Sequence, residues 1–210
     1  MLDNTGLLQQ MFSQDQVALE NSAFIKSTPE PLPAEWDYER VEGMLLGLAI
    51  GDSLGNTTES QLPIGRVQAH GEIRDYLPNQ YADGQPVGVP SDDSQMAFWT
   101  LEQLLADHGL IPDHLAHKFT QHQIYGIGST VKDFLRAYKN QGQHWQQAGQ
   151  SSAGNGALMC IAPIVIPHLQ QPTPALWADA ILAGMHELPE RLPEKALLTD
   201  YSTDPPRLLE

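Results

Sequence analysis

Cysteine is nearly missing from this 210-residue chain: Cys160 stands alone, so no disulfide can form within it. Basic residues are scarce too, with 11 Lys and Arg against 26 Asp and Glu, a formal charge of −15 at pH 7. Binding to a phosphate backbone or an anionic membrane depends on clustered Lys and Arg, so this balance argues against nucleic acid or a membrane surface as partner. A pocket for one small anion stays open, because backbone amides bind phosphate without net positive charge. Apolar runs are broken by Gly, Asp or Pro well short of a membrane span. Met1-Leu2-Asp3-Asn4 lacks a basic segment leading into an apolar run, so the cytoplasm is the expected compartment. Alternating β-branched runs of sheet-forming length are missing, as are internal repeats. His114 and His117, three apart, show no zinc-ligand spacing with an acidic or cysteine partner, which argues against zinc.

What is present is an ordinary globular composition, 41% apolar and 18% charged. Most of the acidity reads as solubility, and a share of it suits a hard cation held by carboxylates. The pattern along the chain predicts an all-α fold. Residues 1–36 read as an N-terminal extension in which Pro29, Pro31 and Pro33 block helix propagation. Ahead of these prolines, Leu7, Leu8, Met11, Phe12 and Val17 suit either one short amphipathic helix or a disordered arm. Residues 37–185 read as a helical domain. Residues 186–210, with Pro189, Pro193, Pro205 and Pro206, read as an irregular Pro-rich tail with room for a short helix around Glu194–Leu198.

Within the domain, Val41–Leu54 forms a helix whose Gly43, Gly47 and Gly51, with Gly55 after them, recur every four residues. They make a smooth stripe expected to be buried against another helix, aiming Asp52 at the start of the helix that Ser91 begins. Asn56–Pro90 reads as a long loop. A helix over 92–107 follows, with Ser91 as N-cap, then helices over 114–123 and 131–140, the latter capped by Ser129. Gly154–Ile166 begins another helix, bent or ended at Pro163, and Pro174–Met185 a further one.

Three motifs carry chemistry. The first is Gly47-Leu48-Ala49-Ile50-Gly51-Asp52-Ser53-Leu54-Gly55, with Glu59 shortly after; the second is Ser91-Asp92-Asp93-Ser94-Gln95-Met96; the third is Gly154-Asn155-Gly156-Ala157-Leu158-Met159, running on to Ala162-Pro163. Taken alone, the Asp pair has a structural explanation, since acidic side chains offset the positive end of a helix dipole. It also has a functional one, since first-turn oxygens can converge on one Mg2+ or Mn2+, with Glu59 adding another. Gly-Asn-Gly reads either as a turn or as the opening of a helix whose free N–H groups favour a pyrophosphate.

In this order and combination the motifs resemble the ADP-ribosylglycohydrolase family, which includes the dinitrogenase reductase-activating glycohydrolases. Gly126-Ile127-Gly128 adds to the likeness, which covers roughly residues 38–185. The resemblance implies an orthogonal all-helical bundle around a pair of divalent cations, usually Mg2+, with Mn2+ an alternative. It implies metal ligation by Ser91, Asp92 and Asp93, and catalytic roles for Glu59, Asp92 and Asp93. Ser152, Gly154, Asn155 and Gly156 would hold the phosphates of ADP-ribose. The implied activity is hydrolysis of the glycosidic bond of an ADP-ribosylated protein side chain or a related small compound.

Two departures follow. The second acidic cluster of the family, D-x-D-[ST], has no counterpart here: Asp200-Tyr201-Ser202-Thr203-Asp204 has the wrong spacing. The bundle therefore reads as C-terminally shortened and the two-metal site as incomplete, which raises the alternative of a non-catalytic ADP-ribose-binding or regulatory protein. The apolar faces of Val41–Leu54 and Ile161–Ile166 are then expected to be exposed, self-associated or covered by the arm or tail. Cys160 stands where the family usually has Arg, and His186 lies near the place of a family Thr-His pair in a poorly matching context.

Overall fold

A computed structural model describes residues 3–189 of the chain, apart from Ala18, Ala34 and residues 153–155. Helix α1 (Asn4–Ser13) starts where Asp3 Oδ1 accepts the Gly6 N–H at 2.7 Å, and it buries Leu8 and Met11. Helix α2 (Glu39–Gly55) is followed by α3 (Pro63–His70), which opens on a proline and stops at Gly71, where φ is +63°. Helix α4 (Asp92–Asp107) ends on His108 in the left-handed region, and the Gly109 N–H closes back on the Leu104 carbonyl at 3.1 Å. Next come α5 (Pro112–Phe119), α6 (Ser129–Gln141), the single turn α7 (Trp145–Ala148), α8 (Ile161–Val165) and α9 (Ala175–Ala183). Among the described residues the fold is all-α but for one parallel pair of three-residue strands, β1 (Gln150–Ser152) and β2 (Glu187–Pro189), in register Gln150 with Glu187.

The core forms around α4. Met96, Ala97 and Thr100 are fully buried or nearly so, and they meet Met159, Cys160 and Ile164 from α8 and the 3-10 turn Gly156–Cys160 before it. Leu115 and Phe119 of α5, Val131 and Phe134 of α6, and Ala178 and Leu182 of α9 complete it. Burial pushes the Cys160 thiol up to about 12 against a small opposing effect of a hydrogen bond with Thr100, so it behaves as a small apolar side chain.

Several expectations change. Of the two alternatives for the N-terminal residues the structure has the short helix, and α1 packs on α9, with Met11 and Val17 in the core; the Asn4 amide donates to Asp179 Oδ1 at 2.6 Å and to the Leu110 carbonyl at 2.9 Å. The 56–90 loop contains α3 and a 3-10 turn, Gln80–Ala82, both too short to show a period. Gly128, not Ser129, occupies the N-cap of α6. The stretch expected as one helix from Gly154 begins instead with the 3-10 turn, and Pro163 sits in the first turn of α8, where its missing N–H costs no bond. The expected short helix at 194–198 lies outside the described residues.

The largest correction concerns the glycine stripe. A Cβ built on Gly43, Gly47, Gly51 or Gly55 meets nothing within 4 Å, so the stripe faces open space. The reason is that α2 meets the rest of the described structure chiefly at α4, and its other faces leave Met44, Leu46 and Ile50 exposed. The face of Ile161–Ile166 is covered, with Ile164 only 1% exposed between α4 and α9.

Candidate carboxylate site at the start of α4

A helix begins with N–H groups that lack a partner inside the helix, and a side-chain oxygen on the N-cap residue usually meets one of them. Ser91 holds that position in α4, yet its hydroxyl makes no such bond. Asp52, one turn before the end of α2, supplies the oxygen from outside. Its Oδ2 accepts the N–H of Ser91 at 2.7 Å and that of Ser94 at 3.2 Å, while its Oδ1 accepts the Ser91 hydroxyl at 2.5 Å. Carboxylate acceptors are the strong kind, and the helix dipole favours negative charge here. Asn56, one turn further along, donates to Asp52 Oδ1 at 3.2 Å and to the Val89 carbonyl at 2.7 Å. The first and second motifs are thus bonded to each other, with Asp52 at the helix terminus as the sequence suggested.

Asp92 and Asp93 project from that terminus. Burial raises the Asp92 carboxyl above its ordinary value, opposed by its own backbone N–H and by Ser91, and the charge of Asp52 raises it further. Partial burial raises Asp93, followed by the charges of Asp92 and Asp52. Glu59, on the loop after α2, is raised by partial burial and then by Asp92, Asp93 and Asp52. Glu59, Asp92 and Asp93 therefore share one electrostatic neighbourhood, and the charges that shift them are those of other carboxylates. Such a cluster is what a hard divalent cation would relieve. In kind the donors fit Mg2+ or Mn2+. In number they supply part of a shell: among the described residues no three His, Cys, Asp or Glu side chains gather closely enough to hold an ion.

A cleft of about 280 Å³ opens beside Glu59, lined by Asn56, Thr57, Ser60, Pro78, Asn79, Gln80 and Tyr81. Asn79, 1% exposed, donates to Asn56 Oδ1 at 3.2 Å and accepts the Tyr81 N–H at 2.8 Å. The Tyr81 ring stacks on Tyr125 with centroids 4.7 Å apart, and Gln95 of α4 accepts the Tyr125 N–H at 2.8 Å. Gly126 has φ of +74°, and a Cβ there would come within 3.0 Å of Asp92 Oδ1, so a side chain would be both strained and crowded against the site. Asn56, Asn79 and Tyr81 escaped the sequence reading: polar residues among Gly and Pro look like solvated loop until the fold buries them.

The residues expected to hold phosphate are only partly among the described ones. Gly154 and Asn155 lie outside the described residues. Gly156 opens the 3-10 turn packed on α4, and the Ser152 hydroxyl, on β1, accepts a hydrogen bond from Thr130 at 3.2 Å. His186 is buried, with Phe119 and Phe134 edge-on to its ring at 6.3 and 6.0 Å.

The profile of one family, described as ADP-ribosylglycohydrolase, matches residues 34–190, well over half of the chain. The chain belongs to this family. Among similar proteins, an uncharacterized protein of Archaeoglobus fulgidus is 34% identical over 135 residues, 60% of this chain and 42% of that protein. The ADP-ribosyl-[dinitrogen reductase] glycohydrolase of Rhodospirillum rubrum is 27% identical over 157 residues, 72% of this chain and 53% of its own length. The ADP-ribosylarginine hydrolase Tri1 of Pseudomonas putida is 28% identical over 158 residues, 68% and 40% respectively. The matched stretch thus spans about half or less of each relative. Among the described residues no helix is long and apolar enough to cross a membrane.

Proposed function

We propose that this chain contributes one side of a divalent-cation-dependent site that hydrolyses the bond between ADP-ribose and a protein side chain or a related small acceptor. The observation that supports the reading is that Asp92 and Asp93 stand at the start of α4, where Asp52 holds the first turn, and that Glu59, on the cleft wall, feels the charge of both. In this reading Asp92 and Asp93 hold Mg2+ or Mn2+, with the Ser91 oxygen beside them. The bound cation would supply Lewis acidity toward ribose hydroxyls and a water of lowered pKa. Glu59, at the cleft, holds or moves a proton at the attacking oxygen, and burial and the neighbouring carboxylates favour its protonated form. The surrounding negative charge also favours an oxocarbenium-like centre. Ser152, Gly154, Asn155 and Gly156 are assigned to the phosphates, where backbone N–H groups would take the charge.

The substrate class follows the printed activities of the Rhodospirillum and Pseudomonas relatives, so ADP-ribosyl-arginine is the first substrate to try. The shortage of ligands among the described residues favours a second reading, an ADP-ribose-binding protein without turnover. One experiment separates them: release of ADP-ribose from ADP-ribosyl-arginine at saturating Mg2+, beside an Asp92→Ala control and a binding titration with ADP-ribose. The expected result is slow turnover that needs Mg2+ and falls roughly 10³-fold in the variant, since a ligand–cation contact contributes several kcal/mol to the transition state. Binding without turnover supports the second reading. Turnover indifferent to both Mg2+ and Asp92→Ala sinks the first.

A further inference from the structure

We propose that Asp52 is the positioning residue of this site: it sets the stance of Ser91, Asp92 and Asp93 and, through Asn56 and Asn79, ties them to the wall of the cleft. The inference rests on the reading of Asp92 and Asp93 as cation ligands. The first turn of a helix is the part most prone to fraying, because its N–H groups lack partners within the helix. Ligands carried on such a turn need an outside support, since productive geometry tolerates only small displacements. Asp52 grips both ends of the turn with one oxygen, through the N–H groups of Ser91 and Ser94.

Its other oxygen determines what Ser91 can do. A serine that caps its own helix spends its oxygen on an N–H of the first turn. Here the cap comes from α2, and the Ser91 hydroxyl instead donates its proton to Asp52 Oδ1. The lone pairs of that oxygen are therefore not consumed by the N–H groups of the helix, and Ser91, 1% exposed, has its hydroxyl against both Asp52 and Asp92. A single carboxylate both steadies the turn and converts the N-cap serine from a capping group into a potential ligand.

The support continues away from α4 with a consistent polarity. Asn56 donates to the Asp52 carboxylate, so its own carbonyl oxygen is left to accept, and it accepts from Asn79. The Asn79 oxygen in turn takes the Tyr81 N–H, at the wall of the cleft. No amide in this chain can be turned round without setting donor against donor. Partners of this outer kind commonly carry a 10–100-fold effect on metal affinity.

The test is Asp52→Asn, which places an amide NH2 against at least one of the donors now facing the carboxylate. Mg2+ affinity by calorimetry is expected to fall about 10–100-fold, and amide exchange at Ser91 and Ser94 to speed up by about tenfold or more as their charged acceptor is lost. Leu104→Ala, in the last turn of α4, is the control for simple loss of stability; it should leave Mg2+ affinity within about twofold of wild type. Wild-type affinity in Asp52→Asn overturns the proposal, and so does an equal loss in Leu104→Ala. Wild-type protein that takes up no Mg2+ sinks the hydrolase reading instead. In that case faster exchange at Ser91 and Ser94 upholds the positioning role, and unchanged exchange overturns it.

Discussion

The body around α4 and the edge made by α2 and α3 treat their apolar side chains in opposite ways. In the body, Met96, Phe119 and Ile164 are at most 2% exposed. On the edge, Leu46 is 61% exposed, Ile50 49%, Leu62 80% and Ile64 74%. Both regions are helical and both carry apolar residues, so helix formation does not distinguish them. What differs is whether a second element lies within reach of the apolar face. The body has α5, α6, α8 and α9 converging on α4, whereas the edge is held to it by a polar joint, Asp52 and Asn56 on the start of α4 and the 89 carbonyl. A pattern of apolar residues marks a face that gains from burial; it does not supply what buries it.

This contrast can be broken most forcefully in the body. Phe119→Ala is expected to cost about 3–5 kcal/mol of stability, the range for a buried aromatic whose site cannot collapse. Urea unfolding measures it, and a loss under about 1 kcal/mol would show that the body is as loosely packed as the edge.

A smaller effect is expected at the joint between the regions. Folding raises the pKa of Asp93, so its contribution to stability is fully present below the ordinary carboxylate range and is lost as pH rises through the raised value. At neutral pH without a cation its charge opposes folding. Asp93→Asn in EDTA should therefore melt higher than wild type at pH 7, with the advantage shrinking as pH falls into the carboxylate range. Added Mg2+ should stabilise wild type and not the variant. Equal melting temperatures at pH 7 in EDTA would mean that the repulsion among these carboxylates is negligible.

On α2 a substitution is again expected to stabilise. Because a Cβ at Gly47 meets nothing, Gly47→Ala should stabilise the protein by about 0.5–1 kcal/mol through helix propensity alone. Destabilisation would show that another element occupies the stripe in solution. The smallest effect is expected on α3, where Ile64→Ser should change stability by no more than about 0.5 kcal/mol; a larger loss by the same urea measurement would place α3 in a packed interface.

Much of this molecule was legible in the residues themselves. The bounds of α4 follow from Ser91 ahead of an acidic first turn; of the apolar Met96, Leu101, Leu104 and Leu105 expected on its buried side, Met96 and Leu104 are buried and Leu105 is 68% exposed. The family could be read from three motifs in order; Glu59, separated by a long loop from the adjacent pair Asp92 and Asp93, is brought close enough to feel their charge. These readings succeed because helix starts, stops and faces depend on residues within a turn or two of one another. The tertiary structure alone decided the rest. It turned the Ser91 hydroxyl away from the N-cap bond expected of it and toward Asp52; it buried Asn79 inside a Gly- and Pro-rich stretch; it drew α1 into the core against α9 and left the glycine stripe open. Each of those outcomes depends on which distant element arrives at a surface, 39 residues away for Asp52 and Ser91. Local spacing holds no record of that arrival, because burial and hydrogen bonding across elements are settled only when the whole chain packs.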